Sequence, residues 1–419
     1  MNIIDELKWR DLIYDVSDKN KIAEWAKNKG GVYIGVDPSA KSMHLGNYQA
    51  YHITKMLRNY GHPVIIIVGG ITGLVGDPRD PKLSKDSILE RNNKDKKEIE
   101  ANLKSIEKQV KQIFGIDKVL NNAEFYKDMS IGDYLRDIGK LVNVNYLLEK
   151  DVIARRLETG ISYAEFSYTL LQGYDFLYLY QNHNIECQFG GQDQWGNVTT
   201  GLEMIRKVVG SDNKACCFSV PLLLKDDGTK FGKSESGTIW LDRTLTSPYV
   251  MYQFLLNQSD EMIETLLKRL TYLSKDEIKE IMKNHKKEPS KRVAQKELAN
   301  NIVRDVHGEN ELKKALKITD AFFNNKLENL ESDELLEGLG DKNNFLSPHG
   351  KINILDLLLE TKMVKSKGEG RKIIEQKGIS INGKIIESID FNVEKKDSIN
   401  NSFSYIKKGK KEYCLVKFK

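Results

Sequence analysis

Two short stretches carry residue types suited to holding a phosphate. The first runs from Tyr33 to Asn47 and reads Tyr-Ile-Gly-Val-Asp-Pro-Ser-Ala-Lys-Ser-Met-His-Leu-Gly-Asn. An apolar run over 31–36 bends at Asp37 and Pro38 and ends in His44, Leu45, Gly46 and Asn47, just before a helical pattern over 48–57. A strand-to-helix turn of this kind aims unpaired backbone N–H groups, at the positive end of the helix dipole, toward an anion. Gly46 admits a close approach to the backbone, and His44 and Asn47, three apart, form a donor pair on the first turn. The second stretch is Lys230, Phe231, Gly232, Lys233 and Ser234, set in a loop-like segment. Two lysines and a hydroxyl around a glycine suit a loop that neutralises phosphate charge as it develops.

A third group lies on one predicted helix. Tyr168, Gln172 and Asp175 are spaced by four and three, so they share a face. Asp77 follows a glycine-rich segment, Gly73 to Gly76, and Gly190, Gly191, Gln192, Asp193 and Gln194 follow a strand and open a helix.

Taken together, and in this order, the first two stretches resemble the H-I-G-H and K-M-S-K-S signatures of class I aminoacyl-tRNA synthetases. The tyrosyl-tRNA synthetases of bacterial type are the most similar, because Asp37-Pro38-Ser39-Ala40 with His44, Gly46 and Asn47, and Lys230 to Ser234, match their variants of both signatures. The likeness runs over essentially the whole chain. It implies activation of L-tyrosine by ATP, with Mg²⁺ accompanying the nucleotide, then transfer to the 3′ end of tRNA(Tyr). His44, Asn47, Lys230, Lys233 and Ser234 are then the catalytic donors. Tyr168, Gln172 and Asp77 hold the α-amino group, Tyr33 and Asp175 the substrate hydroxyl, and Gln194 the carboxyl region. ATP falls to Gly35, Asp37, Ser39, Gly46, Gly191, Asp193 and Lys233. No residue is assigned as a metal ligand. Asn47 stands where the family's motif has His; it keeps a donor but cannot become cationic. Where the family usually has Ser-Gly-Lys after Asp77, this chain has prolines and shifted lysines, so Lys82 and Lys85 receive no role. Two other readings are a non-catalytic RNA-binding protein on the same scaffold and a tryptophan-specific relative; a carboxylate at Asp175 suits a phenol better than an indole.

The elements that must position these residues are an α/β framework. Strand candidates at 32–36, 63–68, 118–120 and 186–189 alternate with helical segments, the pattern of a Rossmann-like, doubly wound parallel sheet. Residues 1–30 read as helix, and Ile99 to Ile113 as an amphipathic helix on the sheet. The catalytic domain is expected over 1–245. Its insertion at 125–165, rich in apolar positions such as Leu135, Ile138, Leu141, Val144, Leu147 and Leu148, forms the homodimer interface by resemblance. A helical anticodon-side domain is expected over 246–323 and an acidic linker over 324–350. The last part, 351–419, reads as a helix pair and an Asn382-Gly383 hairpin, resembling a small α+β RNA-binding module named after a ribosomal small-subunit protein.

Composition sets the remaining bounds. The 419 residues are 30% charged and 40% hydrophobic, a globular composition. Residues 351–419 hold 16 Lys and Arg against 9 Asp and Glu, a net +7 that leaves −2 for residues 1–350. A basic terminal module on a near-neutral body points to a polyanion, and Lys407, Lys408, Lys410 and Lys411 are the tRNA-binding candidates. Cys187, Cys216, Cys217 and Cys414 lack C-x-x-C spacing and read as free thiols. The first residues lack a basic stretch followed by an apolar core, and the longest apolar run, 64–76, is too short to span a bilayer. A cytoplasmic location is therefore expected, with no membrane partner.

Overall fold

Five short runs, apolar enough to be buried on both faces, make the central sheet: β1 (Gly31–Val36), β2 (Val64–Val68), β3 (Val119–Asn121), β4 (Ile185–Gly191) and β5 (Cys216–Val220). All pair in parallel in the order β3-β2-β1-β4-β5. The chain builds outward from β1 to β3, then returns to β1's other side, so the direction of winding reverses between β1 and β4. Such a reversal opens a crevice beyond the carboxyl ends of the strands.

The computed structural model describes residues 2–78, 95–224, 229, 231–234, 237–324, 326–340, 344–347, 350–399, 402–409 and 412–418. Lys82, Lys85, Lys230, Lys410 and Lys411 lie outside the described residues. The chain divides into two compact units, one of 1–245 with 258–298 and one of 246–257 with 299–419. Sequence order is therefore interleaved, and 246–323 is shared between the two. No helix among the described residues is long and apolar enough to cross a membrane.

In the first unit, β5 is the strand that sequence reading omits. Cys216–Val220 is buried along its whole length, so it has no alternation to betray it. Its outer edge is closed by residues 14–17, through Tyr14 N–H to the Ser219 carbonyl at 2.8 Å and Ser17 N–H to the Cys217 carbonyl at 3.0 Å. The expected helix over 1–30 is accordingly two helices, Ile3–Trp9 and Lys19–Asn28, with this edge segment between them. The helix Tyr163–His183 crosses the helix Trp195–Val209 closely: a side chain at Gly201 would stand 2.8 Å from Phe176.

The 125–165 insertion is divided by burial. Ile138 and Leu147 join a core with Tyr33, Ile65, Leu170 and Leu171, while Ile131, Leu135, Val144, Leu157 and Tyr163 are at least half exposed. It is fastened to the helix Tyr163–His183 by a buried ion pair. Arg156 Nη2 lies 2.6 Å from Glu165 Oε2, both side chains 2% exposed, and the guanidinium also donates to the Gly160 carbonyl.

In the second unit, β6 (Asn344–Ser347), β7 (Lys351–Asn353), β8 (Ile379–Ile381), β9 (Lys384–Ile385), β10 (Asn392–Glu394), β11 (Phe403–Lys408) and β12 (Glu412–Phe418) form a five-stranded sheet, β9-β8-β11-β12-β6, and a separate β7–β10 pair. The Asn382-Gly383 hairpin is present, both residues at positive φ (46° and 81°) as a type I′ turn requires. The expected linker over 324–350 instead contains the helix Ser332–Leu339 and β6. Its leucines explain the difference: Leu327, Leu330, Leu335 and Leu339 are buried against Phe403, Tyr405 and Leu415. An acidic composition concealed an apolar face.

Removing one member of the buried pair leaves an uncompensated charge. Arg156→Met is expected to destabilise the first unit by about 3–5 kcal/mol. Chemical denaturation checks this, and adding Glu165→Gln should restore most of the loss.

Candidate active site

The crevice at the sheet's reversal point holds a cavity of about 370 Å³. Tyr33, Gly35, Asp37, Ser39, His44, Gly46, Asn47, Asp77, Tyr168, Gln172, Asp175, Gly191, Asp193 and Gln194 all line it. Residues as far apart in the sequence as Tyr33 and Gln194 thus share one site.

At its inner end lies Asp175, 3% exposed. Burial pushes its carboxyl up to about 7, opposed by hydrogen bonds from Asn122 and Tyr126 and assisted by the nearby Asp37. Asn122 Nδ2 donates to Asp175 Oδ2 at 3.0 Å and Tyr126 OH to Oδ1 at 3.1 Å. The same cavity holds the Tyr33 hydroxyl, buried and with no hydrogen-bond partner among the described residues. Burial, and then the Asp175 charge, keep that phenol well above its ordinary range, hence a neutral donor. An unpaired donor beside a carboxylate acceptor fits a ligand group that both donates and accepts, as a hydroxyl does.

A hydrogen-bond chain runs from this end to the next. Asn122 Nδ2 also reaches Thr72 Oγ1 at 3.2 Å, Thr72 Oγ1 donates to Asp37 Oδ1 at 2.8 Å, and Tyr168 OH donates to Asp37 Oδ2 at 2.9 Å. With its single proton directed at Asp37, the Tyr168 oxygen is left as an acceptor. Asp77 takes Gln194 Nε2 at 2.7 Å and Asn197 Nδ2 at 3.0 Å. Among the described lining residues there is no lysine or arginine, and Asp37, Asp77, Asp175 and Asp193 make the interior acidic. That interior suits a ligand carrying an ammonium group.

The phosphate-type signatures meet at the mouth. His44 caps the helix Leu45–Asn59, and its N–H donates to Asn47 Oδ1 at 3.1 Å, so the NH₂ of Asn47 is what the amide can offer a ligand. The His44 ring stands edge-on to Trp240, centroids 6.1 Å apart. Gly46 serves a purpose the sequence did not disclose: a side chain there would come within 2.8 Å of the Phe231 carbonyl, and one at Gly232 within 2.7 Å of the Gly46 nitrogen. The two signatures are packed backbone to backbone. Beyond that contact, Lys233 and Ser234 form a two-residue strand paired with Gly237 and Thr238. At Gly35, by contrast, the side-chain direction is open space facing the cavity.

Sequence reasoning did not single out Thr72, Asn122, Tyr126 or Asn197. Asn122 follows the carboxyl end of β3, a position from which parallel sheets present ligand groups, and that was the available signal. Tyr126 gave none.

Of the basic cluster in the second unit, Lys407 lies 5.4 Å from the Tyr413 ring centroid. Lys408 donates to the Met363 carbonyl at 2.6 Å and pairs with Glu412 at 3.1 Å. Its ammonium is therefore engaged within the unit.

A family model described as "tRNA synthetases class I (W and Y)" matches residues 26–324, and one for the tyrosine–tRNA ligase C-terminal domain matches 334–416. The tyrosine–tRNA ligase of Ureaplasma urealyticum is 44% identical over 99% of this chain and 98% of its own length. That of Listeria welshimeri is 41% identical over the whole of both. Among solved structures, a C-terminally truncated mitochondrial tyrosyl-tRNA synthetase of Aspergillus nidulans superposes with a TM-score of 0.68 at 29% identity, covering 77% of this chain and 94% of that one. On the family match and the full-length relatives, the chain belongs to the class I tRNA synthetases (W and Y), within its tyrosine–tRNA ligases.

Proposed function

We propose that the cavity binds L-tyrosine with its phenol between Tyr33 and Asp175 and joins it to ATP, as a tyrosine–tRNA ligase does. One observation carries the reading: a buried Tyr33 hydroxyl, unpaired among the described residues, shares the cavity with the buried Asp175 carboxylate. The substrate hydroxyl donates to Asp175 and accepts from Tyr33. Its ammonium meets the Tyr168 oxygen, Gln172 and Asp77, in the acidic part of the cavity. Gln194, already bonded to Asp77, stands beside the substrate carboxyl.

ATP lies along Gly35, Asp37, Ser39, Gly46, Gly191 and Asp193, and magnesium arrives as part of the nucleotide substrate. The substrate carboxylate attacks the α-phosphorus, the bond to pyrophosphate breaks, and the mixed anhydride tyrosyl-adenylate forms. No protein nucleophile is needed, so the chain's contribution is placement and charge stabilisation. His44 and Asn47 donate from the helix start, while Lys230 and Lys233 supply the positive charge that the cavity wall lacks and Ser234 adds a hydroxyl donor. Transfer to the 3′ end of tRNA(Tyr) follows.

Residues 1–245 are the catalytic region, 246–323 contributes an anticodon-side helical region, and 351–419 contributes the RNA-binding part. The exposed apolar side chains Ile131, Leu135, Val144 and Leu157 support an isologous homodimer through the 125–165 insertion. The enzyme works in the cytoplasm. In tRNA binding, Lys407, Lys410 and Lys411 make the phosphate contacts, while Lys408 is engaged by the Met363 carbonyl and Glu412.

Pyrophosphate exchange with tyrosine, tryptophan and phenylalanine tests the whole reading: exchange should be strong with tyrosine alone. Because Asp175 must be ionised to accept, and burial places its titration at about 7, the KM for tyrosine should rise as the pH falls below neutrality while kcat holds. Lys233→Ala should leave tyrosine binding intact and slow activation by at least about 10²-fold, since its cation acts in the transition state. Equal losses of affinity and rate would remove it from that role. A Lys407/Lys410/Lys411→Ala variant should flatten the log-affinity versus log-salt slope for tRNA by about 0.7–0.9 per lost contact, with exchange unaffected.

A further inference from the structure

Tyr126 touches the pocket only through another residue. Its hydroxyl is buried, 3.1 Å from Asp175 Oδ1 and 2.9 Å from the Leu171 carbonyl. A phenol has one proton, and two acceptors face it. The two are not equal claimants. Leu171 lies four residues before Asp175 in the helix Tyr163–His183, so its carbonyl has the helix's own N–H. Asp175 depends on side chains, and its donors among the described residues are Asn122 and Tyr126. Asn122 is fixed on three sides: its Oδ1 accepts from Ile71 N–H at 3.0 Å, and its NH₂ serves both Thr72 and Asp175. Tyr126 alone has an alternative acceptor.

We propose that Tyr126 is a positioning residue for amino-acid selection, a two-position hydroxyl that keeps Asp175 a charged acceptor toward the substrate. With Asp175 ionised, the Tyr126 proton points to Oδ1 and holds the carboxylate as an acceptor for the substrate's hydroxyl. When Asp175 takes a proton from solvent on Oδ1, Tyr126 turns its own proton to the Leu171 carbonyl and accepts the acid's. The neutral acid then offers the substrate only an uncharged oxygen, a weaker acceptor than the carboxylate, and the bond to a tyrosine hydroxyl loses its charge assistance. Selectivity for tyrosine over phenylalanine fades with it, because the polar pair gains less from a bound hydroxyl.

The charges around Asp175 leave this bond decisive. The titratable groups facing it are Asp37 and Tyr33 at β1, Tyr126 and Tyr134 from the segment after β3, and Tyr174 on its own helix. None is a cation. Burial and Asp37 favour the proton, and only the two hydrogen bonds oppose it.

This role rests on the reading that the cavity takes tyrosine. Full-length wild type and Tyr126→Phe, which keeps the ring 5.2 Å from that of Tyr174, are compared in pyrophosphate exchange from mildly acidic to mildly alkaline pH. The acid limb of kcat/KM for tyrosine should move up by about one pH unit in the variant, the size of one hydrogen bond to a charged acceptor. At saturating tyrosine kcat should stay within about twofold, and discrimination against phenylalanine should fall near neutrality and recover in alkali. A selective wild type with an unshifted acid limb in the variant, or a pH-independent loss of kcat, would overturn the role of Tyr126 alone. A wild type that exchanges no better with tyrosine than with phenylalanine would overturn the pocket reading and this role together.

Discussion

The arrangement depends on keeping one carboxylate, Asp175, buried at the inner end of a crevice. A desolvated carboxylate is costly unless its oxygens are hydrogen-bonded, and here both are, by Asn122 and Tyr126. Those donors come from the segment that follows β3, while Asp175 comes from the helix that precedes β4, so the carboxylate ties together the two sides of the sheet's reversal point. The second proton of Asn122's NH₂ carries the constraint on through Thr72 to Asp37 and Tyr168. The Asp175 end of the pocket and the Tyr168 end are therefore held by one continuous chain, and displacing either end disturbs the other.

Charge is divided between wall and loop. The lining is acidic, which suits an amino acid's ammonium group, whereas a nucleotide's phosphates need cations. These are carried by the stretch 230–234, whose Gly232 packs on Gly46 at the helix start. Backbone contact at glycine lets the lysine-bearing segment lie against the helix N-terminus without a side chain between them. Positive charge from the loop and N–H groups from the helix can then act on the same anion.

The second unit follows a different logic, in which composition was a poor guide. Phe403, Tyr405 and Leu415 of the terminal sheet complete a core with Ile318, Leu327, Leu335 and Leu339 from the acidic stretch before it. A boundary placed at 351 on charge alone cuts through this cluster. Lys408 makes a similar point, since a lysine counted as free for a polyanion is held by the Met363 carbonyl and Glu412.

What the sequence by itself determined is what local pattern encodes. Four of the five central strands, the His44-capped helix, the shared face of Tyr168, Gln172 and Asp175, and the Asn382-Gly383 turn all follow from period, spacing or backbone preference within a few residues. The tertiary structure decided everything that needed a partner from elsewhere. A buried strand such as Cys216–Val220 has no alternation because both faces are covered, and which faces are covered is a property of the packed molecule. Asn122, Thr72 and Tyr126 are unremarked polar residues until folding places them within hydrogen-bond reach of Asp175 and Asp37. At Gly46 the closeness of the Phe231 carbonyl and Gly232 adds a packing need that no local pattern encodes. Short-range preferences are written residue by residue, whereas the pairing of distant polar groups and the filling of space are settled only when the chain closes on itself.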